Sequence, residues 1–442
     1  MITIAQMVYA QRNGTLTARA LVSQCLAAIE EKQHLNAVLE LNPQALAEAE
    51  ALDAATDKGG ALHGVPILLK DNINTAGPTH TSAGSLALAA NVAPTDAPLV
   101  RRLREAGAVI LGKTNMTEFA NYMGSGPKDH RGRGMPNGYS SRGGQVLNLF
   151  DPAADPSGSS TGSAVAVGAG LCAAAVGTET CGSIISPAQC AGVIGIKPTA
   201  GLISGEGVIP ISFTLDTAGP IARCADDTRI LLGVLAGRQY DPPEPGLAGL
   251  RVGVCRSFTA ETDPAWLAAN EGLVDTMQAL GARCVELPWH GIGAGFMGDI
   301  MRYEFRHGIN AYLRSMNNPA IPQSLSEIIA YNKHHPEALR YGQRTLIRAN
   351  KAILGLRDPK YLRALKAREK AIKDFDALFD AQDIALFFMM AAGAGLPPAT
   401  GFPSMTVPIG RTEAGLPIGS YFVARRGRED ILLRTAAALE AR

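Results

Sequence analysis

The sequence predicts an α/β fold in which helices cover both faces of a mixed central β-sheet. The main observation is that short apolar runs of strand length alternate with helical patterns along the chain. The 442 residues are 46% hydrophobic and 18% charged, which is enough apolar material for a large core. We find no internal repeat, and we expect the chain to form a single domain over 1–442.

The first part of the chain, residues 1–58, is predicted to form a helical arm. Thr17 has the residue type of an N-cap, and apolar side chains recur after it at helical spacing. A second helix is predicted over 43–55, with Asn42 as its cap and Pro43 at its first helical position.

The catalytic core is predicted from residues 60–240 and 380–442. It begins with a buried strand over 65–69, a helix over 98–106 and a strand over 108–111. The small apolar run 164–176 is predicted to be one buried helix, because its 13 residues are too few for the roughly 20 of a membrane span. The remaining predicted elements of the core are a helix over 226–235, strands over 384–388, 405–407 and 418–423, and a final helix from Arg428.

Residues 241–379 are predicted to form a mainly helical insertion that shapes the substrate pocket. A strand is predicted near its start, over 250–254. The insertion's stretch 296–375 holds 15 Lys and Arg against 7 Asp and Glu. We interpret this surplus as a solvated helical face, and a surface for an anionic substrate or a nucleic acid is the sharper alternative. The glycine-rich stretch 132–162 is predicted to be a long functional loop.

Bulk properties restrict the function classes. The net charge of +1 gives no general attraction to nucleic acid or membrane. Seven cysteines without a C-x-x-C pair argue against a disulfide framework or a zinc site and favour a reducing compartment. The N-terminus lacks the pattern of a signal peptide, so we expect a cytoplasmic protein.

Two stretches match catalytic motifs only by their letters. Residues 107–114 match the phosphate-loop pattern, but the four variable positions are themselves the predicted strand. Residues 158–162 match the G-x-S-x-G nucleophile elbow, whose serine would be Ser160, but a turn over 150–156 precedes it where the elbow needs a strand.

Three other residues suggest acyl transfer: Lys70, Ser159 and Ser183. Ser183 ends a glycine-flanked segment, 177–183, whose N–H groups could form an anion-binding nest. A lysine can serve as the base for a serine only when neutral, and an exposed lysine is only about 0.1% neutral near pH 7.5. Lys70 ends an apolar run, and burial would lower its pKa, whereas pairing with Asp71 would raise it.

The chain resembles the amidase signature family across nearly its whole length, and within it most resembles the peptide-amidase subgroup. The resemblance is carried by these blocks: His63-Gly-Val-Pro-Ile-Leu-Leu-Lys-Asp-Asn72, Gly112-Lys-Thr-Asn-Met-Thr-Glu-Phe-Ala120, Pro156-Ser-Gly-Ser-Ser-Thr-Gly162, Gly177-Thr-Glu-Thr-Cys-Gly-Ser-Ile-Ile-Ser-Pro187, Leu215-Asp-Thr-Ala-Gly-Pro-Ile-Ala-Arg223 and Gly401-Phe-Pro-Ser-Met-Thr-Val-Pro408. The subgroup resemblance is carried by Ser141-Arg-Gly-Gly-Gln145, 210–220 and 303–313.

The resemblance implies a Ser-cisSer-Lys triad, with Ser183 as nucleophile, Ser159 as the bridging serine with a cis peptide bond, and Lys70 as base. It also implies an oxyanion hole formed by the backbone N–H groups of Thr180, Cys181, Gly182 and Ser183. No metal or cofactor is implied. The expected substrates are carboxamides, including C-terminal peptide or amino-acid amides, cleaved through an acyl-enzyme.

The sequence departs from the family pattern near the nucleophile. Many members carry Arg two residues after it, whereas this chain has Ile185. This weakens, without removing, the alternative of a glutamine-hydrolysing subunit of an amidotransferase complex. A binding protein without activity is disfavoured by the intact triad. We expect a small-molecule or peptide amide and water as partners, no nucleic acid or membrane, and leave self-association open. The pocket is expected from 121–155 and 290–380.

Overall fold

The computed structural model describes residues 2–123, 134–256, 263–287, 292–390 and 395–441. The α-helices of these residues are α1 Ile4–Arg12, α2 Ala18–Glu31, α3 Ala45–Ala54, α4 Pro98–Glu105, α5 Thr161–Gly168, α6 Ile185–Ala191, α7 Ala225–Ala236, α8 Pro264–Ala279, α9 Met297–Met316, α10 Leu325–His334, α11 Arg344–Asn350, α12 Pro359–Ala381, α13 Leu396–Thr400 and α14 Glu429–Glu440. The strands are β1 Val38–Leu41, β2 Pro66–Lys70, β3 Val109–Thr114, β4 Tyr139–Ser140, β5 Gly144–Gln145, β6 Ala174–Glu179, β7 Ile194–Lys197, β8 Thr217–Ala222, β9 Arg251–Cys255, β10 Arg283–Glu286, β11 Leu386–Met389, β12 Ser404–Thr406, β13 Pro408–Arg411, β14 Pro417–Gly419 and β15 Phe422–Ala424.

Eleven of these strands form one mixed sheet in the order β1-β3-β2-β6-β8-β7-β12-β15-β11-β9-β10. Strand β2 runs parallel to both of its neighbours, β3 and β6, whereas β8 runs antiparallel to β6 and β7. The prediction of a mixed α/β sheet is confirmed.

Both faces of the sheet are covered by helices. Along β2, Ile67 and Leu69 enter one apolar cluster with side chains of α1, α4 and α7, whereas Leu68 enters a second cluster with side chains of α2, α3 and α5. Successive strand residues point to opposite faces, so this division follows directly from the pleat. A strand buried on both sides carries a continuous apolar run, as β2 does.

Several predicted elements are confirmed with small shifts. Thr17 caps α2 through a hydrogen bond from the Ala20 N–H to its side chain. The helix predicted over 43–55 is Ala45–Ala54, and the predictions of Asn42 as its cap and Pro43 as its first residue are wrong. The Asn42 side chain instead accepts a hydrogen bond from the Gln44 N–H at 2.9 Å and holds 42–44 in a turn.

The run 164–176 is not one helix, and this prediction is wrong. Helix α5 ends at Gly168, Gly170 takes a left-handed φ of +73°, and the chain continues into strand β6. The reason is tertiary, since β6 lies between β2 and β8 and receives ladder partners from both.

The predicted strand 418–423 is also wrong as a single element. It is divided into β14, which pairs with β13, and β15, which belongs to the central sheet. The Ser420 hydroxyl lies at the break and contacts both the N–H and the carbonyl of Val407, at 3.1 Å and 3.0 Å.

The stretch 241–379 contributes to the sheet as well as to the helices. Strands β9 and β10 extend one end of the sheet, and α9 to α12 follow. The basic residues of α12 are exposed at 360, 363, 366, 370 and 373. The division into arm, core and insertion stays a prediction. No helix in the described ranges combines the length and apolarity needed to cross a membrane.

Candidate active site

The candidate site lies where two parallel strands end at the same edge of the sheet. Lys70 is the last residue of β2, and Glu179 is the last residue of the neighbouring β6. The loop 180–183 follows β6 and leads into α6, so Ser183 lies beside the end of β2. The carboxyl ends of adjacent parallel strands are a common location for binding sites.

Lys70 is completely buried, and its amine is directed at hydroxyl and carbonyl oxygens. Its Nζ donates to Ser159 Oγ at 2.8 Å, to Ser160 Oγ at 2.9 Å and to the Thr178 carbonyl at 3.0 Å. Burial lowers the pKa of Lys70 to about 7, although the carboxylates of Asp216 and Glu179 act in the opposite direction. An amine in this range is substantially neutral near neutral pH, which a base requires.

Asp71 does not pair with Lys70. Its carboxylate accepts hydrogen bonds from the backbone N–H of Gly84 at 2.9 Å and from the Ser82 hydroxyl, and it lies 3.5 Å from the Arg142 guanidinium. Asp71 follows the end of β2, and its partners at 82–84 and Arg142 are different from the partners of the Lys70 amine at 159–160 and Thr178. The neighbouring acid therefore leaves the lowered pKa of Lys70 in place.

Ser159 is held in a tight turn before α5. The Gly158–Ser159 peptide bond is cis, and the Ser159 carbonyl accepts a hydrogen bond from the Thr117 N–H at 3.1 Å. A Cβ on Gly158 would overlap Thr117 Oγ1, so any larger residue requires the Thr117 side chain to move. The Ser160 N–H donates to the Ser183 carbonyl at 3.0 Å, which joins this turn to the loop that contains Ser183.

The loop 180–183 has the geometry of a backbone nest. Gly182 has a φ of +79°, a conformation that glycine adopts without strain. In the described ranges, the N–H groups of Cys181, Gly182 and Ser183 donate to no protein acceptor. Glu179 fixes the far side of the loop, because its Oε2 accepts from the N–H groups of Ile184 and Ile185 at 2.8 Å and 3.1 Å. Free N–H groups held by such a frame can bind an anionic oxygen.

The structure places Lys70, Ser159 and Ser183 at one edge of the sheet, and their catalytic roles stay a prediction. Sequence reasoning missed Ser160 as the second hydroxyl partner of Lys70. Its hydroxyl also accepts from the Thr178 N–H at 3.2 Å. The signal was the Ser159-Ser160 pair, but adjacency alone does not indicate that both hydroxyls face one amine.

The two misleading motifs have other roles. Gly112, Lys113 and Thr114 lie inside β3, and the Lys113 amine donates to Thr81 Oγ1 at 2.9 Å rather than facing a phosphate. No strand occurs over 150–157, all of which is described, so Ser160 does not occupy a nucleophile elbow.

Within the described ranges, no group of three or more His, Cys, Asp or Glu side chains could hold a metal ion. Residues 124–133 of the predicted pocket loop lie outside these ranges.

Comparison with known proteins assigns the family. The family model described as "Amidase" matches residues 20–397. A "Probable amidase" of Arabidopsis thaliana is 34% identical over 99% of this chain and 89% of its own length. A glutamyl-tRNA(Gln) amidotransferase subunit of Deinococcus deserti is 33% identical over 97% of this chain and 93% of its own length.

Solved structures agree with this assignment. The native peptide amidase from Stenotrophomonas maltophilia superimposes with a TM-score of 0.90 and 36% identity, covering 99% of this chain and 96% of that one. An amidase family protein from Bacillus anthracis superimposes with a TM-score of 0.91 and 32% identity, covering 100% and 90% of the two chains. The chain belongs to the amidase signature family and is an amide-hydrolysing enzyme.

Proposed function

We propose that the enzyme cleaves the C–N bond of C-terminal peptide or amino-acid amides, with Ser183 as nucleophile, Ser159 as proton relay and Lys70 as base. The observation that carries this proposal is the 2.8 Å hydrogen bond from a fully buried Lys70 amine to Ser159 Oγ. The likeness to a peptide amidase supports this substrate class.

In this mechanism, neutral Lys70 takes a proton from Ser159 as Ser159 takes the proton of Ser183. The Ser183 oxygen then attacks the amide carbonyl carbon. The carbonyl oxygen becomes negative and receives hydrogen bonds from the N–H groups of Thr180 to Ser183. The same relay returns the proton to the nitrogen as the C–N bond breaks, so ammonia leaves. Water, deprotonated by the relay, releases the acid and regenerates Ser183.

The test is ammonia release from C-terminal peptide amides, simple aliphatic amides and aryl amides. We expect the highest kcat/KM for peptide amides, complete loss of turnover in Ser183→Ala and Lys70→Ala, and unchanged folding by circular dichroism. A fluorophosphonate probe should modify Ser183, as mapped by mass spectrometry of the adduct. Turnover by Ser183→Ala, or a preference for aryl amides, would contradict the proposal.

A second candidate is a glutamine-hydrolysing component of an amidotransferase, which the identity to the Deinococcus deserti protein favours. Ile185 argues against it, because this side chain is buried in an apolar cluster and supplies no cation for a free amino acid's carboxylate. Glutaminase activity together with stable co-purification of partner proteins or tRNA would support this second candidate. Absence of both would remove it.

A further inference from the structure

Asp216 connects the nest to the rest of the protein. Its Oδ1 accepts a hydrogen bond from the hydroxyl of Thr180, the first residue of the nest, at 2.5 Å. Its Oδ2 accepts from the N–H groups of Ile211 and Ser212 at 2.8 Å and 2.9 Å. With three donors, both oxygens of the carboxylate are fixed in direction.

The turn that holds Asp216 is itself anchored on the helices. Glu304 of α9 accepts hydrogen bonds from the hydroxyls of Ser212 and Thr214, and from the Tyr361 hydroxyl of α12 at 2.8 Å. Glu304 is completely buried. A continuous chain of hydrogen bonds therefore extends from the nest, through Asp216 and Ser212, to helices α9 and α12. Satisfied buried networks of this kind rigidify the groups that they join.

Asp216 also acts on the base through its charge. The negative charges of Asp216 and Glu179 both raise the pKa of Lys70, but burial lowers this pKa by more. Loss of hydration raises the pKa of Asp216 itself to about 6, with Glu304 as a further acid nearby. Asp216 is therefore mainly ionised at neutral pH.

We propose that Asp216 is a positioning residue for amide hydrolysis, which fixes the nest through Thr180 and places a carboxylate charge near the Lys70 amine. This inference rests on the proposed function. The Thr180 hydrogen bond limits rotation of the nest, so that its N–H groups are already directed at the developing oxyanion. The negative charge opposes premature loss of the Lys70 proton, so the amine retains enough basicity to accept one from the relay.

Asp216→Asn and Thr180→Val separate the two effects. Asn retains a carbonyl oxygen that can accept a hydrogen bond from Thr180. It removes the negative charge, and its NH2 group would point at the N–H groups of Ile211 and Ser212. Val retains the branched shape of Thr180 but breaks the link, and because the Thr180 hydrogen bond lowers the pKa of Asp216, its loss also raises that pKa. We expect Asp216→Asn to move the acid limb of kcat/KM to lower pH by roughly one unit. We expect Thr180→Val to lower kcat about tenfold, less than the loss of an oxyanion donor, and to move the limb less than Asp216→Asn does.

The matched control is Glu304→Gln, which removes a buried charge from the same network but not from the surroundings of Lys70. It should lower Tm and leave the acid limb in place. An unmoved limb in folded Asp216→Asn overturns the electrostatic part of the inference, and a wild-type kcat in Thr180→Val overturns the positioning part. Should Asp216→Asn not fold, the Thr180→Val result alone decides between support and rejection of the positioning role.

The result can be distinguished from a failure of the proposed function. If Ser183→Ala and Lys70→Ala are inactive while Asp216→Asn and Thr180→Val behave like wild type, only this inference is wrong. If Ser183→Ala still hydrolyses peptide amides, the proposed function itself is wrong.

Discussion

Replacing Lys70 with methionine removes the ionisable group and retains a side chain of similar length in the same buried space. Burial lowers the pKa of Lys70 from 10.5 to about 7. At about 1.36 kcal/mol per pH unit, that gap corresponds to about 5 kcal/mol in favour of the neutral amine. A difference of this size should be visible in stability as well as in turnover.

The sign of the effect follows from where the proton is held. Below pH 7 the amine is protonated in both the folded and the unfolded chain, so Lys70 gives no pH dependence. Between pH 7 and 10.5 the folded protein has lost this proton and the unfolded chain retains it, so the free energy of unfolding rises with pH. From pH 7 to pH 9, wild type should gain about 2 kcal/mol relative to Lys70→Met.

The assay is urea unfolding of both proteins at matched pH values from 6 to 9, together with the pH profile of kcat/KM. Two other buried lysines, Lys113 and Lys197, have pKa values lowered to about 8, but they are present in both proteins and cancel in the difference. We expect Lys70→Met to be inactive and wild type to lose activity below about pH 7. A stability difference that stays constant from pH 6 to 9 would refute the assignment of a neutral Lys70.

Three further results are expected. Gly158→Ala places a Cβ against Thr117 Oγ1 and should cost about 1–3 kcal/mol of stability and most activity, as measured by thermal unfolding and turnover. In the control Gly272→Ala in α8, the added Cβ meets open space, and the free energy of unfolding should rise by about 0.5–1 kcal/mol. Equal changes in stability in the two variants would contradict the steric argument. Ser160→Ala loses the hydrogen bonds to Lys70 and Thr178 and should lower the free energy of unfolding by about 1–3 kcal/mol. It should lower kcat less than Ser159→Ala does. A larger loss of kcat in Ser160→Ala would contradict Ser159 as the relay. Dialysis against EDTA should leave turnover unchanged, and a loss restored by a divalent cation would show a metal requirement.

Local patterns were sufficient for elements whose signals are contained in their own residues. Helix α4 and strand β2 were predicted within one residue of their ends, because a proline at the first helical position and an apolar run before a polar turn are short-range signals. Strand β8 was missed. Its sequence, Thr-Ala-Gly-Pro-Ile-Ala, contains the two residue types that strands disfavour. It is a strand because β6 and β7 supply partners on both sides.

In the run 164–176, local patterns predicted one helix where the structure has a helix followed by a strand. Alanine, valine and glycine fit a buried helix and a doubly buried strand equally well, so periodicity does not separate them. The meeting of Lys70 with Ser159 was likewise beyond local patterns, since 89 positions separate them. The resemblance to a family predicts this meeting, whereas the residues alone indicate a lysine at the end of a buried strand and a serine in a loop.

Burial of a lysine at a strand end does not by itself define this site. Lys113 and Lys197 are also completely buried, each as a residue of a central strand. The Lys113 amine donates to the Ile73 carbonyl and to Thr81 Oγ1, and the Lys197 amine donates to the Pro198 carbonyl at 2.9 Å. A backbone carbonyl has no proton to give, and the Thr81 hydroxyl beside Lys113 donates its own proton to the Ile73 carbonyl at 3.3 Å. These two lysines therefore act as internal braces for the chain.

Lys70 differs in what its amine faces. Two of its three acceptors are hydroxyls, those of Ser159 and Ser160, which can donate a proton as well as accept a hydrogen bond. The third, the Thr178 carbonyl, fixes the amine in position. In the proposed mechanism, burial makes the amine neutral and the Ser159 hydroxyl supplies the proton that it takes. The proposed chemistry therefore depends on the turn that presents Ser159, in which a Cβ on Gly158 would overlap Thr117 Oγ1.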